Sequence, residues 1–373
     1  MRGRHCWYPL AALCLLLVAC SGPVPIPPAA PQSGASPTAS GPTGPSPAHR
    51  AEVVSVITRN LQAPWSICRA MDTTLVSERD TARILEVDTA GRQRTVGTVP
   101  GVRLGGEGGL LGLAFAEPDQ LYAYSTGATG NRIQRFTLHG KPGSLRLGQQ
   151  RTVIDELPAA GIHNGGRIAF GPDGKLYAGV GDAAQPDAAQ DPESLGGKIL
   201  RLEPDGGIPA DNPFPGSAVY SLGHRNVQGL AWDGRGRMYA SEFGQNTFDE
   251  LNEIRAGGNY SWPQVEGQAE RRDRRFTDPI AQWPTGQASP SGIAIADGWV
   301  YLANLRGQRL RRVELANPQH QQELLTGQGR LRAVLEVGPG QLWVLTNNTD
   351  GRGTPQPGDD RIIQLRLQAP PGS

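Results

Sequence analysis

The stretch GIHNGGRIAFGPDGKLYAGVGD, residues 161–182, decides the fold. It opens on a polar knot from Ile162 to Arg167, runs through a short strand-like segment, Ile168 to Phe170, and turns at Gly171-Pro172-Asp173-Gly174. A second strand, Lys175 to Val180, closes on Gly181-Asp182. Apolar and aromatic runs bounding a Pro-Asp-Gly cluster predict a β-hairpin.

The chain repeats this hairpin. PWSICRAMDTTLVSE from Pro64, GLLGLAFAEPDQLYAY from Gly109, QGLAWDGRGRMYASE from Gln228, SGIAIADGWVYLAN from Ser291 and LRAVLEVGPGQLWVLT from Leu331 share one plan: a polar lead-in, a strand, a turn, and a second strand leaving on a polar residue. Their turns, near Asp72, Pro118, Asp173, Gly234, Asp297 and Gly338, fall roughly 40 to 60 residues apart, the spacing of four-stranded propeller blades. RILEVD, RIQRFTL, KILRLEP and RLRRVEL supply further strands. The predicted fold is all-β, a six-bladed β-propeller of four-stranded blades over residues 51–369. In a hairpin, the residues before the first strand and after the second lie at one end. Six hairpins around an axis therefore gather Glu107, His163, Asn164, Arg167, Asp182, Arg225, Asn226, Gln228, Glu242, Arg306 and Arg332 around one funnel. One histidine among arginines, amides and carboxylates suits an anionic ligand beside an acid/base group.

Composition agrees. The 373 residues are 38% hydrophobic, enough for a large core, and 50 glycines and 32 prolines favour short strands over long helices. The formal charge of +1 becomes −1 once Arg2 and Arg4 are removed with the N-terminus, so nothing argues for a nucleic-acid partner or a polybasic membrane surface. Those arginines precede an apolar run, Leu10 to Val18, too short to span a bilayer, which predicts a signal peptide over residues 1–19. Leu17-Val18-Ala19-Cys20-Ser21 resembles the lipobox of bacterial lipoproteins, implying a lipid anchor at Cys20 and an extracytoplasmic, membrane-tethered protein. Residues 20–50 are rich in Pro, Ser, Ala, Gly and Thr and read as a tether. After processing only Cys20 and Cys68 remain, so no disulfide within the domain is available, and Cys68 lies in an apolar strand as inert core.

Four longer motifs, HNGGRIAFGPDGKLYAGVGD, AQDPESLGGKILRLEPDGGIPADNPF, GHRNVQGLAWD and DELNEIRAGGNYSWP, resemble the soluble glucose/sorbosone dehydrogenases, aldose sugar dehydrogenases that use pyrroloquinoline quinone (PQQ). The resemblance covers about Ala63 to Leu367, and that family is a six-bladed propeller. It implies that His163 is the general base, taking the proton of the sugar's anomeric hydroxyl as hydride passes to the quinone. Imidazole suits that role because its ordinary pKa lies near neutrality. Ile162 stands where relatives often carry an acid, so that support for the imidazole is missing or comes from elsewhere. Arg225 and Asn226 match residues that meet the quinone's oxygens, Arg225 stabilising the developing anion; His224 is a structural neighbour. Arg306 stands where relatives often have Lys, and Arg330 and Arg332 match a pair that clamps the cofactor's carboxylates. Arg-x-Arg on a strand would send both side chains to one face. Glu107 replaces a common Gln, and a carboxylate there would repel an anionic cofactor unless metal-bound or protonated.

The same resemblance implies calcium, held by hard oxygen ligands. The main-chain carbonyls of Gly244 and Gln245 match those holding the ion beside PQQ; Glu250 and the carbonyl of Tyr260 match a second, structural ion. The expected activity is oxidation of an aldose to its lactone, with electrons passed to an external acceptor, since no Cys-x-x-Cys-His haem-attachment pattern is present. Two other readings stand beside it: a metal-dependent lactonase, which needs carboxylates converging on one cation, and a non-catalytic carbohydrate-binding propeller. The charged segment Glu270 to Arg275 reads as a solvated loop.

Overall fold

The computed structural model describes residues 51–270 and 273–368. The predicted signal peptide, lipidated Cys20 and tether lie outside the described residues, as do Arg271 and Arg272 of the charged loop.

Six four-stranded antiparallel sheets account for the described strands. Blades 1 to 5 are each built from four consecutive strands, over residues 64–98, 110–157, 168–222, 227–284 and 290–325. Blade 6 takes three strands from residues 331–367 and its outermost strand from the start of the domain, Ala51–Thr58, which pairs antiparallel with Ile362–Leu367. The innermost strands touch in a closed ring, each against the next and the sixth against the first. Ring and shared blade are what make this a propeller.

The sequence pattern explains the stacking. Successive strand residues face opposite sides of a sheet, and here both sides are apolar because each blade lies between two others. Leu75 packs toward blade 2 and its neighbour Val76 toward blade 6. In blade 6, Leu342 and Val344 face blade 5, whereas Trp343 and Leu345 face blade 1. Strands such as Thr73–Glu78 and Leu176–Val180 are consequently buried along their whole length. Cys68 is half-buried and free, and burial pushes its thiol up to about 12, which leaves it inert.

Bulges at the axis position the site. Five of the six inner hairpins break register at their first residues, between Pro64 and Ser66, Leu110 and Leu113, Val227 and Gly229, Pro290 and Ile293, and Leu331 and Ala333. A bulged residue leaves the ladder and is re-aimed. Trp65, Gln228, Ser291 and Arg332 are such residues, and they meet at the axis: Arg332 Nη1 donates to Gln228 Oε1 at 2.8 Å and to Ser291 Oγ at 3.4 Å, and its guanidinium lies 5.6 Å from the Trp65 ring. Crowding there requires small residues. A Cβ on Gly229 would come within 2.4 Å of the Ser291 carbonyl oxygen.

Candidate active site

The predicted hairpin forms at Ile168–Phe170 and Leu176–Val180, with the knot before it at the axial end. His163 adopts φ 57°, a left-handed conformation uncommon for a side-chain-bearing residue and concentrated at functional sites. Two contacts hold it there: its N–H donates to Glu107 Oε2 at 2.9 Å, and its carbonyl accepts the Ala183 N–H at 3.2 Å. Gly181 makes the turn possible, since a Cβ on it would overlap the His163 carbonyl at 1.8 Å.

The imidazole is held at both nitrogens. Nδ1 lies 2.7 Å from Asp182 Oδ1, and Nε2 lies 2.7 Å from Arg225 Nη2. A guanidinium only donates. Nε2 therefore accepts, Nδ1 carries the proton, and Asp182 receives it. Asp182 is the carboxylate that Ile162 does not supply; Ile162 itself is exposed.

Arg225 is fixed by Gln245 Oε1, 2.9 Å from Nε, and by the Phe243 carbonyl, 3.0 Å from Nη1; burial works against its charge, and Asp182 is the first of the acids that offset this. Asn226 accepts the Gly165 N–H at 2.9 Å, while its own Nδ2 is a buried donor without a partner among the described residues.

Beside this group opens a cavity of about 380 Å³. It is walled by Trp65, Asn164, Gln228 and Phe243, with Arg79, Arg306, Arg330, Arg332 and Arg352 facing Glu107 and Asp350. Five arginines outnumber two carboxylates in its wall, although Arg79 is also paired with Asp80 at 2.5 Å. Arg306 is exposed and has no side-chain partner among the described residues. Arg330 Nη2 and Arg332 Nη2 reach Asp350 Oδ2 at 3.0 and 3.6 Å, so the expected pair does converge. Strand alternation is not the reason: Arg330 precedes the strand and Arg332 sits in its bulge. Burial works against the charge of Arg332, and Asp350 offsets this only in the company of Arg330, Arg79 and Arg167. Such a cluster is short of negative charge.

Three expectations are corrected. Glu107 does not confront the cavity as a bare anion, because its second oxygen pairs with Arg352 at 2.8 Å. Arg167 is buried below the funnel, bonded to the Gln228 carbonyl and Ser66 Oγ. Glu242 is likewise withdrawn, accepting from His224 and from the Arg225 N–H.

The Gly244 and Gln245 carbonyls accept no hydrogen bond among the described residues, which leaves both free to ligate a cation. Their loop is gathered by a residue with no signal in the sequence: Glu266 Oε1 accepts the N–H groups of Gln245, Asn246, Thr247 and Phe248 at 2.6, 2.9, 2.8 and 3.1 Å. Burial would raise the Glu266 carboxyl, yet these four donors hold it below its ordinary value. Glu250 is buried, and Asn252 Nδ2 bridges it to Glu242 at 3.0 and 2.8 Å. Burial, with the charge of Glu242 added, pushes Glu250 upward, a strain that a hard cation would relieve. Tyr260 stacks its ring on His224 at 4.7 Å, while its carbonyl, the expected ligand, already accepts the Trp262 N–H at 3.0 Å, unlike those of Gly244 and Gln245. Among the described residues, no three His, Cys, Asp or Glu side chains converge as a metal cage.

A family model described as Glucose / Sorbosone dehydrogenase matches residues 61–355. The PQQ-bound aldose sugar dehydrogenase of Streptomyces coelicolor is 49% identical, with a TM-score of 0.82 over 85% of this chain and 98% of that one. The quinoprotein glucose dehydrogenase B of Acinetobacter calcoaceticus is 36% identical over 253 residues, 57% of this chain, and the match spans about half of that relative, 52%. The soluble aldose sugar dehydrogenase of Escherichia coli, in its apo-form, shares the fold with a TM-score of 0.72 at 24% identity over 86% of this chain and 99% of that one.

Proposed function

Because the chain belongs to the glucose/sorbosone dehydrogenase family, we propose that it oxidises an aldose at the anomeric carbon to the lactone, using PQQ and calcium and passing electrons to an external acceptor. The observation that carries this reading is His163, with its proton fixed on Nδ1 by Asp182 and its Nε2 accepting from Arg225, while the next residue, Asn164, and Glu107, which holds the His163 N–H, wall the arginine-rich cavity.

The residues fit the cofactor. PQQ is a tricarboxylate, and a cavity whose arginines outnumber its carboxylates suits it. Arg306, Arg330 and Arg332 would hold carboxylates, and Arg225 with the unpartnered Asn226 Nδ2 would face the quinone oxygens. Gly244 and Gln245 would ligate one calcium through their carbonyls, and Glu250 a second, joined by the Tyr260 carbonyl through the lone pair that the Trp262 N–H leaves free. When bound, PQQ supplies the hydride acceptor and calcium polarises it.

The chain's own part is proton handling and charge stabilisation. Nε2 of His163 accepts the anomeric hydroxyl proton, and Asp182 stabilises the imidazolium that results. Arg225 N–H occupies that lone pair in the structure described here, so the sugar hydroxyl has to share or displace it. Arg225 then stands ready for the oxyanion. A lactonase reading lacks, among the described residues, the converging carboxylates it requires, and a non-catalytic reading leaves the His163–Asp182 pair without a use. The lipobox-like Leu17-Val18-Ala19-Cys20 supports a lipid-anchored, extracytoplasmic enzyme.

Reconstitution with PQQ and calcium, followed by dye reduction across a panel of aldoses, tests the proposal. Saturable, cofactor-dependent reduction supports it. A chain that binds no PQQ overturns it, and a lactone hydrolysed without quinone favours the hydrolase.

A further inference from the structure

We propose that Trp262 is a positioning residue for the general base, acting through Asp182; the inference rests on the role proposed for His163. Asp182 is buried, and its two oxygens are committed differently. Oδ1 receives the His163 Nδ1–H and the Ala184 N–H, the latter at 2.9 Å, and Oδ2 receives the indole N–H of Trp262 at 2.9 Å. An indole nitrogen can only donate, so the direction of this bond is fixed. It prevents the carboxylate from turning about its own axis, and it satisfies an anionic oxygen that would otherwise be buried unpaired.

The same indole meets the other partner of the imidazole. The Arg225 guanidinium carbon lies 5.5 Å from the Trp262 ring centroid, within range of a cation–π contact, while Arg225 Nη2 bonds His163 Nε2. Trp262, Asp182, His163 and Arg225 therefore form a closed circuit, with one side chain touching the partner of each ring nitrogen. The backbone around Trp262 is secured to match. Its N–H donates to the Gly223 carbonyl at 3.0 Å, and its carbonyl accepts Gln190 Nε2 at 2.6 Å. Gln190 is paired in both directions with Asn259, at 3.0 and 2.8 Å. Gly223 leads directly into His224 and Arg225, so one piece of backbone places both Trp262 and Arg225.

The test is Trp262→Phe in the full chain, which keeps an aromatic face and removes the N–H. Two readouts separate positioning from general damage. In the cofactor-free protein, the downfield proton resonance of the His163 Nδ1–H, identified by its loss in His163→Gln, should shift. In the enzyme loaded with PQQ and calcium, kcat should fall about tenfold, with KM and PQQ affinity within about twofold and Tm within a few degrees. Introduced into Asp182→Asn, the same change should alter kcat by less than about twofold, the coupling expected of two residues on one path. Additive losses, or an unmoved resonance, would overturn the inference. If Trp262→Phe does not fold, β-(3-benzothienyl)alanine at position 262 exchanges N–H for sulfur at nearly constant shape and should give the same result. A shifted resonance in a chain that reduces no dye would preserve the positioning role and sink the dehydrogenase reading instead.

Discussion

His163 Nδ1 and Asp182 Oδ1 stand 2.7 Å apart, at the two ends of one hairpin. The hairpin brings its first and last residues to the same end of the blade, and the positive φ values of His163, Ala183 and Ala184 bend both ends inward until they touch. Replacing Asp182 by Asn removes the charge that stabilises the imidazolium and sets the amide NH2 against the Ala184 N–H or the Trp262 N–H. Where the NH2 faces His163 it donates to Nδ1, which moves the imidazole proton to Nε2, where it meets the Arg225 N–H and can no longer accept a sugar proton. Asp182→Asn should therefore lower kcat by about 10² to 10⁴, the range general-base catalysis contributes, with PQQ affinity unchanged. Steady-state dye reduction beside a PQQ titration measures both. A loss below about threefold would remove Asp182 from the proposed mechanism.

The cavity's arginines should divide into two kinds. Arg306 is exposed and unpartnered among the described residues. Arg306→Gln should therefore weaken PQQ binding by about fivefold at low salt, shrinking as salt screens the contact, with Tm unchanged. Arg332 is different: its donors satisfy Gln228, Ser291 and Asn347 in the buried floor. Arg332→Met should cost about 1–3 kcal/mol of stability besides affinity, because those acceptors lose their donor. PQQ titrations at two ionic strengths and thermal melts of both variants would show the difference. Equal salt dependence and equal Tm would contradict it.

Much of this was legible in the chain because a propeller repeats. Six hairpins with turns at Asp72, Pro118, Asp173, Gly234, Asp297 and Gly338 fix blade number, and blade number fixes which residues share a face. His163, Arg225 and Asn226 could be placed together on that ground. The rest was hidden for identifiable reasons. Bulges that aim Trp65, Gln228, Ser291 and Arg332 at the axis leave no pattern in a single sequence, since they arise from register across two strands. The Glu266 carboxylate acts on a loop 18 to 21 residues away. The pairing of Glu107 with Arg352 joins positions 245 residues apart. Only Asp182 carried a usable signal, since it closes the repeat that His163 opens.

Calcium should change the pH dependence of stability. Burial raises Asp249 to about 6 and also pushes Glu250 upward, with the charge of Glu242 adding to the effect. Both groups have folded values above their unfolded ones, so the native protein retains protons that the unfolded chain has released. Their contribution is most favourable at low pH and is lost as pH rises through about 6 for Asp249, and beyond that for Glu250. A cation held by Glu250 requires the deprotonated carboxylate. The Tm of chelator-treated protein should therefore decline from about pH 5 to about pH 8, while the increment from added calcium grows over the same range. A calcium increment that does not vary with pH would remove Glu250 as a ligand.

Ser221, His224 and Glu242 test the hydrolytic alternative, because they have the connectivity of a nucleophilic triad. Ser221 Oγ lies 2.8 Å from His224 Nε2, and His224 Nδ1 lies 3.0 Å from Glu242 Oε1. Connectivity alone does not make a nucleophile. All three are buried, the His224 ring is covered by Tyr260, and Glu242 is also engaged by Asn252 and the Arg225 N–H. The triad orders the backbone that presents Arg225, and Ser221 serves to occupy His224 Nε2. Ser221→Ala should leave turnover within about twofold and cost about 1–3 kcal/mol of stability, the price of an unpaired buried nitrogen. A fluorophosphonate probe should not label the native chain. Labelling at Ser221, or lactone hydrolysis lost in Ser221→Ala, would show that substrate reaches this triad and that the chain is a hydrolase.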